Sequence, residues 1–146
     1  MSDFNFVTDR LATGAAISSA ADVAQLVAAG VTHVIDCRAE FDDSSLFAQS
    51  GVAYLWNGVA DDGQPKPADW FGRSLSFAMP ALGQPKFKVY AHCAAGVNRG
   101  PSTCYAVLRA LGFSAALAEQ VIRAARPQVG LAYKKDADLA VPLLGY

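Results

Sequence analysis

The residues with the clearest capacity for chemistry lie in one segment made of His92, Cys93, Ala94, Ala95, Gly96, Val97, Asn98 and Arg99. An apolar run precedes it and a helical pattern follows, so its amide groups are predicted to point inward at a helix N-terminus, where they bind a phosphate dianion. Arg99 can hold two phosphate oxygens through its planar guanidinium group. Cys93 would lie at the base of the loop, where the helix dipole and Arg99 favour a thiolate aimed at phosphorus.

This pattern, His-Cys-x5-Arg between a strand and a helix, resembles the signature of the cysteine-dependent protein tyrosine phosphatase superfamily. The short chain and the segment from Tyr54 to Asp62 resemble its small dual-specificity phosphatase branch, and the resemblance extends from Leu11 to Pro127. It implies a phosphoric monoester hydrolase with a phosphocysteine intermediate, a phosphate site at residues 94–99 and no cofactor or metal. A structural cysteine near an unrelated arginine is the alternative, but these residue types rarely coincide at this spacing.

An acid is also needed, because the alkoxide or phenolate released from the substrate must be protonated. In the resembled family this acid is an aspartate on a loop about thirty residues before the nucleophile. Asp61 and Asp62 lie 32 and 31 positions before Cys93. Asp61 matches the family pattern better relative to Pro65 and is our choice for the acid, with Asp62 as the alternative. The other carboxylate is expected to be a solvated loop residue.

Two more residues near the nucleophile have predicted roles. His92 is expected to orient the loop through hydrogen bonds to the backbone, because strand alternation turns it away from Cys93. Cys37 follows a predicted parallel strand, so it would face the same end of the sheet as Cys93. In some members of the resembled family a second cysteine protects the nucleophile as a reversible disulfide, which makes Cys37 a candidate redox partner. The alternative that we favour is a small buried apolar residue.

Gly100 departs from the resembled family, which usually has Ser or Thr directly after the arginine. In that family the hydroxyl stabilises the thiolate and helps to expel it in the second step, and glycine cannot do so. The sequence does not place Ser102 or Thr103 near Cys93. We therefore predict slow hydrolysis of the phosphoenzyme, visible as a rapid first turnover before a slow steady state, and faster turnover in Gly100→Ser.

Alternating strand and helix patterns must position these residues. Strand patterns cover residues 4–13, as one or two edge strands, and residues 31–36, 52–56 and 87–91. Helix patterns cover residues 20–29, 67–79, 101–111 and 115–125. Ser18 or Ser19 can cap the first helix, and Pro80 is expected to end or kink the second. The order predicts one α/β domain over residues 1–146, with a mostly parallel sheet flanked by helices and the phosphate-binding loop between a central strand and a helix.

Charge excludes some classes of partner. The formal net charge is −1, so no basic field favours nucleic acid or an anionic membrane surface.

Arg123 and Arg126, near the end of the last clear helix, are either a second anion site beside the loop or solvated residues at a helix C-terminus; we favour the solvated role.

The cysteines and the N-terminus indicate a compartment. Cys37, Cys93 and Cys104 are an odd number, and neither a basic start nor an apolar export segment is present. No apolar stretch approaches the roughly 18 residues that a membrane span needs. We expect a cytoplasmic protein whose cysteines are reduced. The sequence does not indicate its oligomeric state.

The expected substrate is a phosphorylated protein or a small phosphomonoester. A shallow pocket would accept phosphotyrosine and also phosphoserine or phosphothreonine. Relatives that act on polyphosphorylated inositides often have lysines where this loop has uncharged residues. The alternatives are a pseudophosphatase module that binds phosphate without turnover, which Gly100 favours, and an RNA 5′-triphosphatase, since Gly-x-Asn-Arg also occurs in relatives that act on RNA ends. A rhodanese-like sulfur carrier is a third, although its loop ordinarily lacks this arginine spacing.

Overall fold

The fold was analysed in a computed structural model, which describes residues 2–146. The strands are β1 Phe4–Thr8, β2 Leu11–Gly14, β3 His33–Arg38, β4 Ala53–Val59 and β5 Val89–His92. The helices are α1 Ala20–Ala28, α2 Ser44–Phe47, α3 Ala68–Leu82, α4 Arg99–Ala110, α5 Ala115–Ala125 and α6 Lys134–Leu143.

The five strands form one sheet in the order β1-β2-β5-β3-β4. Within residues 2–146 only the β1–β2 pair is antiparallel; β2, β5, β3 and β4 pair in parallel. The predicted α/β fold with a mostly parallel sheet is confirmed. The edge position predicted for the N-terminal strands is right for β1 and wrong for β2, which hydrogen-bonds to β5 inside the sheet.

Helices cover both faces of the sheet because successive strand residues point to opposite sides. Leu11, Ile35 and Ala91 belong to the core under α3, α4, α5 and α6, whereas their neighbours Ala12, Val34 and Tyr90 belong to the core under α1 and α2. The central strands are therefore apolar on both faces, as short buried parallel strands are expected to be.

Side-chain caps define where two of the helices begin. Ser19 accepts a hydrogen bond from the Asp22 amide at the start of α1, and Ser114 accepts one from the Leu117 amide at the start of α5. The expected end of the helix at Pro80 is wrong, because α3 continues to Leu82, whereas the alternative of a kink there stays a prediction. No helix in residues 2–146 is long and apolar enough to cross a membrane.

The fold places residues 92–99, the segment with the His-Cys-x5-Arg pattern, at one end of the sheet. β5 is the central strand, and its carboxyl end leads directly into residues 93–98 and then into α4. The carboxyl ends of β3 and β4 lie at the same edge because these strands are parallel to β5. Ligands bind at this edge in open α/β sheets, so the loops after β3 and β4 surround the candidate site.

Candidate active site

The loop from Ala94 to Asn98 is held by its carbonyl groups. All five accept hydrogen bonds, from the Ala16 amide, the Arg126 side chain (twice), the Gly130 and Leu131 amides and the Ser102 amide. The amides of the same five residues have no acceptor within residues 2–146. Because the carbonyls bond outward, the amides are left to line the inside of the loop, where they can bind an anion.

Gly96 is required by the path of this loop. Its φ is +69°, in the left-handed region that favours glycine. A Cβ at this position would lie 2.5 Å from the Gly14 carbonyl carbon and 2.6 Å from Arg126 Nη2. No larger residue fits without moving β2 or the arginine that supports the loop.

Cys93 lies at the base of the loop and is 2% exposed. Its amide donates to the Gly14 carbonyl group, which joins the loop to β2. His92, immediately before it, is fully buried, and its Nδ1 lies 3.2 Å from the Cys93 carbonyl oxygen. The Cys93 thiol therefore lies where the amides of the loop and the N-terminus of α4 converge. The His92 imidazole contacts the backbone carbonyl group of the same residue.

Arg99 is held by a carboxylate from the loop after β3. Its Nη1 and Nη2 donate to the two oxygens of Glu40 at 2.7 and 3.0 Å, and Nη1 also donates to the Val59 carbonyl oxygen. The hydrogen bonds from Arg99 lower the pKa of Glu40 to about 2. Arg99 Nε is buried with no partner in the described chain, so this side chain keeps a donor for a ligand.

A charged network is buried around His92, the residue before Cys93. Arg38 donates to Asp36 and, at 2.8 Å, to Asp43, and Asp43 Oδ2 lies 3.1 Å from His92 Nε2. Burial alone would raise the pKa of the Asp43 carboxyl, but the charges of His92 and Arg38 outweigh it and the pKa is lowered. The network places the Asp43 carboxylate beside one ring nitrogen of His92, while the other ring nitrogen contacts the backbone of Cys93.

The same network contains ligand types suited to a metal. Donor atoms of Asp36, Asp43 and His92 lie within 4.8 Å of one another. The Arg38 guanidinium already contacts both carboxylates and supplies the positive charge between them. These residues therefore do not fit a metal ion, because the cation they require is part of the chain.

The two acid candidates have different surroundings. Asp61 lies beside the loop, 3.4 and 3.5 Å from the side-chain amide of Asn98. Asp62 pairs instead with Lys66 at 2.7 Å, and this ion pair lowers the pKa of Asp62. Asp61 thus lies against the loop of residues 94–98, whereas Asp62 forms an ion pair within the turn that follows it.

Cys37 is completely buried at the carboxyl end of β3. Its Sγ lies 3.5 Å from the Thr103 hydroxyl, and burial raises the pKa of its thiol well above the ordinary range. Such a thiol is a poor nucleophile while buried. Disulfide formation with Cys93 stays a prediction.

Gly100 packs directly against β5. A Cβ at this position would lie 2.9 Å from the Ala91 carbonyl oxygen and 3.1 Å from two backbone atoms of His92. Ser102 and Thr103 hydroxyls contact the Tyr133 amide and Cys37 Sγ respectively. The structure therefore gives Gly100 a packing role, and a serine there requires the strand or the helix to shift.

The solvated role favoured for Arg126 is wrong. Arg126 is 1% exposed; besides the Ala95 and Gly96 carbonyl oxygens it bonds Asp3 and Asn5. Its guanidinium is thus satisfied by the protein, and it supports the phosphate loop instead of standing beside it as a second anion site. Arg123, on the same helix, is half-buried and pairs with Glu119.

A buried thiol, an arginine held by a carboxylate and a nearby aspartate lie together at the carboxyl end of a parallel sheet, an arrangement typical of the cysteine-phosphatase class. The family model for the dual specificity phosphatase catalytic domain matches residues 15–135. The chain therefore belongs to the dual-specificity phosphatase family and is a cysteine-dependent phosphatase, a hydrolase of phosphomonoesters.

Solved structures show the same fold over nearly the whole chain. PTPMT1 in complex with PI(5)P superimposes with a TM-score of 0.80 at 18% identity, covering 96% of this chain and 97% of that one. Human DUSP28 gives 0.74 at 23% identity, with 97% and 96% covered. The human tyrosine phosphatase-like serine/threonine/tyrosine-interacting protein gives 0.79 at 16% identity, with 98% of each chain covered. At these identities the likeness establishes the fold.

Sequence reasoning missed three residues that the structure places at the site. Glu40 grips Arg99, Asp43 contacts His92, and Tyr133 contacts Asp61. Glu40 and Asp43 belong to the loop after β3, a position at the ligand-binding edge of the sheet that could have pointed to them. No sequence signal pointed to Tyr133, because it lies 72 residues from Asp61.

Proposed function

We propose that this chain hydrolyses phosphomonoesters on proteins in two steps, with Cys93 as nucleophile, Arg99 as phosphate ligand and Asp61 as general acid and base. In the first step the Cys93 thiolate attacks phosphorus, the S–P bond forms and the P–O bond to the substrate breaks. Asp61 gives its proton to the leaving oxygen. In the second step Asp61 takes a proton from water, whose oxygen attacks phosphorus, and the S–P bond breaks to restore the thiolate.

The observation that carries the proposal is the arrangement of the loop. Its carbonyl groups are all bonded outward, and Arg99 is fixed in place by Glu40 with Nε still unpartnered. Negative charge on the equatorial oxygens of the transferring phosphoryl group is stabilised best by donors that are already oriented. The loop meets this condition, and neither step calls on a metal or an organic cofactor.

Surroundings of the loop support a protein substrate. Phe41, next to Glu40, is 64% exposed and provides an aromatic surface for a phosphotyrosine ring. Exposed carboxylates of Asp61 and Asp62 lie on the nearby loop of residues 60–67, which we call the acid loop, and residues 94–98 carry no charge. A substrate with several phosphates would meet repulsion there. PTPMT1 has been seen with PI(5)P, so a lipid phosphomonoester is the substrate class to compare.

The cellular setting and domain extent proposed from sequence have structural support. Cys37, Cys93 and Cys104 are all free and buried. A catalytic thiol must stay reduced, which favours the cytoplasm. Residues 1–146 are proposed as one catalytic domain, because the two hydrophobic cores lie on the two faces of a single sheet.

The deciding experiment is stopped-flow hydrolysis of para-nitrophenyl phosphate by the wild type and by Cys93→Ser. We expect a burst of nitrophenol close to one equivalent of enzyme in the wild type, a slower steady state because Gly100 supplies no hydroxyl, and no burst in the variant. Release that does not depend on Cys93 would contradict the proposal. Retained binding of a phosphopeptide with no release from the wild type would indicate the pseudophosphatase module instead.

A further inference from the structure

Tyr133 connects the acid loop to the helical side of the molecule. Its hydroxyl donates to Asp61 Oδ1 at 2.6 Å and accepts from the Gly63 amide at 3.1 Å. The side chain is 1% exposed, and burial together with the bond to Asp61 raises the pKa of Tyr133 to about 12. The hydroxyl therefore remains a donor at physiological pH and holds two points of the acid loop at once.

Tyr133 is itself held rigidly. Its amide donates to the Ser102 hydroxyl on α4, its ring packs edge-on against Trp70 with centroids 6.5 Å apart, and the Lys66 ammonium lies 4.8 Å above the ring. These contacts come from two helices and from the acid loop, so the position of the hydroxyl is set by the fold.

The segment before Tyr133 is pinned to the phosphate loop. The Gly130 and Leu131 amides both donate to the Val97 carbonyl oxygen. Leu131 has φ of +52°, a left-handed conformation that costs a leucine roughly 1 kcal/mol or more. Such strain persists where the surrounding contacts over-determine the backbone, and here they join the phosphate loop to the segment that carries Tyr133.

We infer that Tyr133 is a positioning residue that presents Asp61 to the leaving oxygen of the substrate; the inference rests on the proposed function. The tyrosine O–H donates to Oδ1 at 2.6 Å, whereas the Asn98 amide is 3.4 Å from Oδ2. Oδ1 is therefore the more strongly bonded acceptor, and we assign the acidic proton of Asp61 to Oδ2. In the first step this proton moves from Oδ2 to the leaving oxygen while the P–O bond breaks and the S–P bond forms. Lys66 holds Asp62 separately, so Tyr133 acts on one carboxylate only.

The test compares Tyr133→Phe with the wild type on two substrates that differ in leaving group. Nitrophenolate leaves readily without a proton, whereas the phenolate of phenyl phosphate needs one. We expect kcat/KM for phenyl phosphate to fall about tenfold or more, because general acids contribute roughly 10²–10⁴-fold, and kcat/KM for para-nitrophenyl phosphate to fall less than about threefold. In an Asp61→Asn background the same substitution should change neither value further, since the two residues act as one unit.

Tyr105→Phe is the matched control. Tyr105 is also a buried tyrosine whose hydroxyl donates to an aspartate, Asp138, at 2.7 Å, but it lies away from the acid loop. It should show no leaving-group effect. An equal loss on both substrates in Tyr133→Phe, or an undiminished loss in the Asp61→Asn background, would overturn the inference while leaving Cys93-dependent hydrolysis intact.

A measurement that needs no turnover distinguishes failure of the inference about Tyr133 from failure of the proposed function. In the Cys93→Ser background, amide hydrogen exchange at Gly63 should accelerate in Tyr133→Phe, because the amide loses its acceptor. Unchanged exchange at Gly63 would show that the hydroxyl does not hold the acid loop, whatever the enzyme hydrolyses.

Discussion

At the scale of single residues, the pair Glu40 and Arg99 gives the sharpest expectation. Glu40→Gln keeps the side-chain size but removes the charge that orients the guanidinium. Because Glu40 is about half exposed, this ion pair contributes about 1 kcal/mol or less, so kcat/KM should fall by up to about fivefold. Steady-state kinetics on para-nitrophenyl phosphate measure this. Glu119→Gln, which breaks an ion pair with Arg123 on α5, is the control and should leave kcat/KM unchanged.

The same pair has a pH signature in stability. The folded pKa of Glu40 is about 2, below its ordinary value of 4.5. Its contribution to folding is therefore present above pH 4.5 and disappears as the pH falls towards 2. The difference in melting temperature between wild type and Glu40→Gln should follow this course, and a difference that grows on acidification would contradict it. Because Glu40 is about half exposed, the difference should be small.

At the scale of elements, Arg126 joins the end of α5 to β1 and to the phosphate loop. Arg126→Ala leaves the Ala95 and Gly96 carbonyl groups without their donor and empties a buried space, so we expect a loss of about 2–4 kcal/mol of unfolding free energy. Urea unfolding measures the loss. Arg123→Ala on the same helix should cost about 1 kcal/mol or less, because that side chain is 40% exposed. Equal losses in the two variants would contradict the assigned role of Arg126.

The positions of the strands and helices were the part of the fold that the sequence predicted best. Short apolar runs and the caps Ser19 and Ser114 are local signals, and they placed the strands and four main helices within a few residues. The interior place of β2 depends on pairing with β5, which lies over seventy residues away, and local patterns do not encode it. The short α2 and the bounds of α6 also lacked a strong local signal.

The same distinction between local signals and long-range contacts applies to the candidate site residues. Cys93 and Arg99 are close in sequence, so their spacing alone indicated a phosphate loop. Glu40 and Tyr133 reach the site across 59 and 72 residues, through side-chain contacts that only the folded chain defines. Arg126 was misjudged for a related reason: a helix C-terminus favours solvated arginines on average, but here β1 and the phosphate loop cover it.

At the scale of the whole molecule, the charge pattern should select the substrate. The chain has a net charge of −1, and carboxylates Asp61 and Asp62 stand exposed near an uncharged loop. We expect kcat/KM for a singly phosphorylated tyrosine peptide to exceed that for a polyphosphorylated inositide or an RNA 5′-triphosphate by about tenfold or more at low salt. The preference should narrow as ionic strength rises, because surface charges are screened. A preference for either polyanion would overturn the protein assignment.

The outward-bonded carbonyl groups of residues 94–98 have a thermodynamic consequence. A loop that must be ordered by its ligand loses roughly 1–2 kcal/mol of conformational entropy per residue at the moment of binding. Here that loss has already occurred during folding. Anions the size of phosphate should therefore bind with a small entropic penalty, and the released product, inorganic phosphate, should compete measurably with substrate.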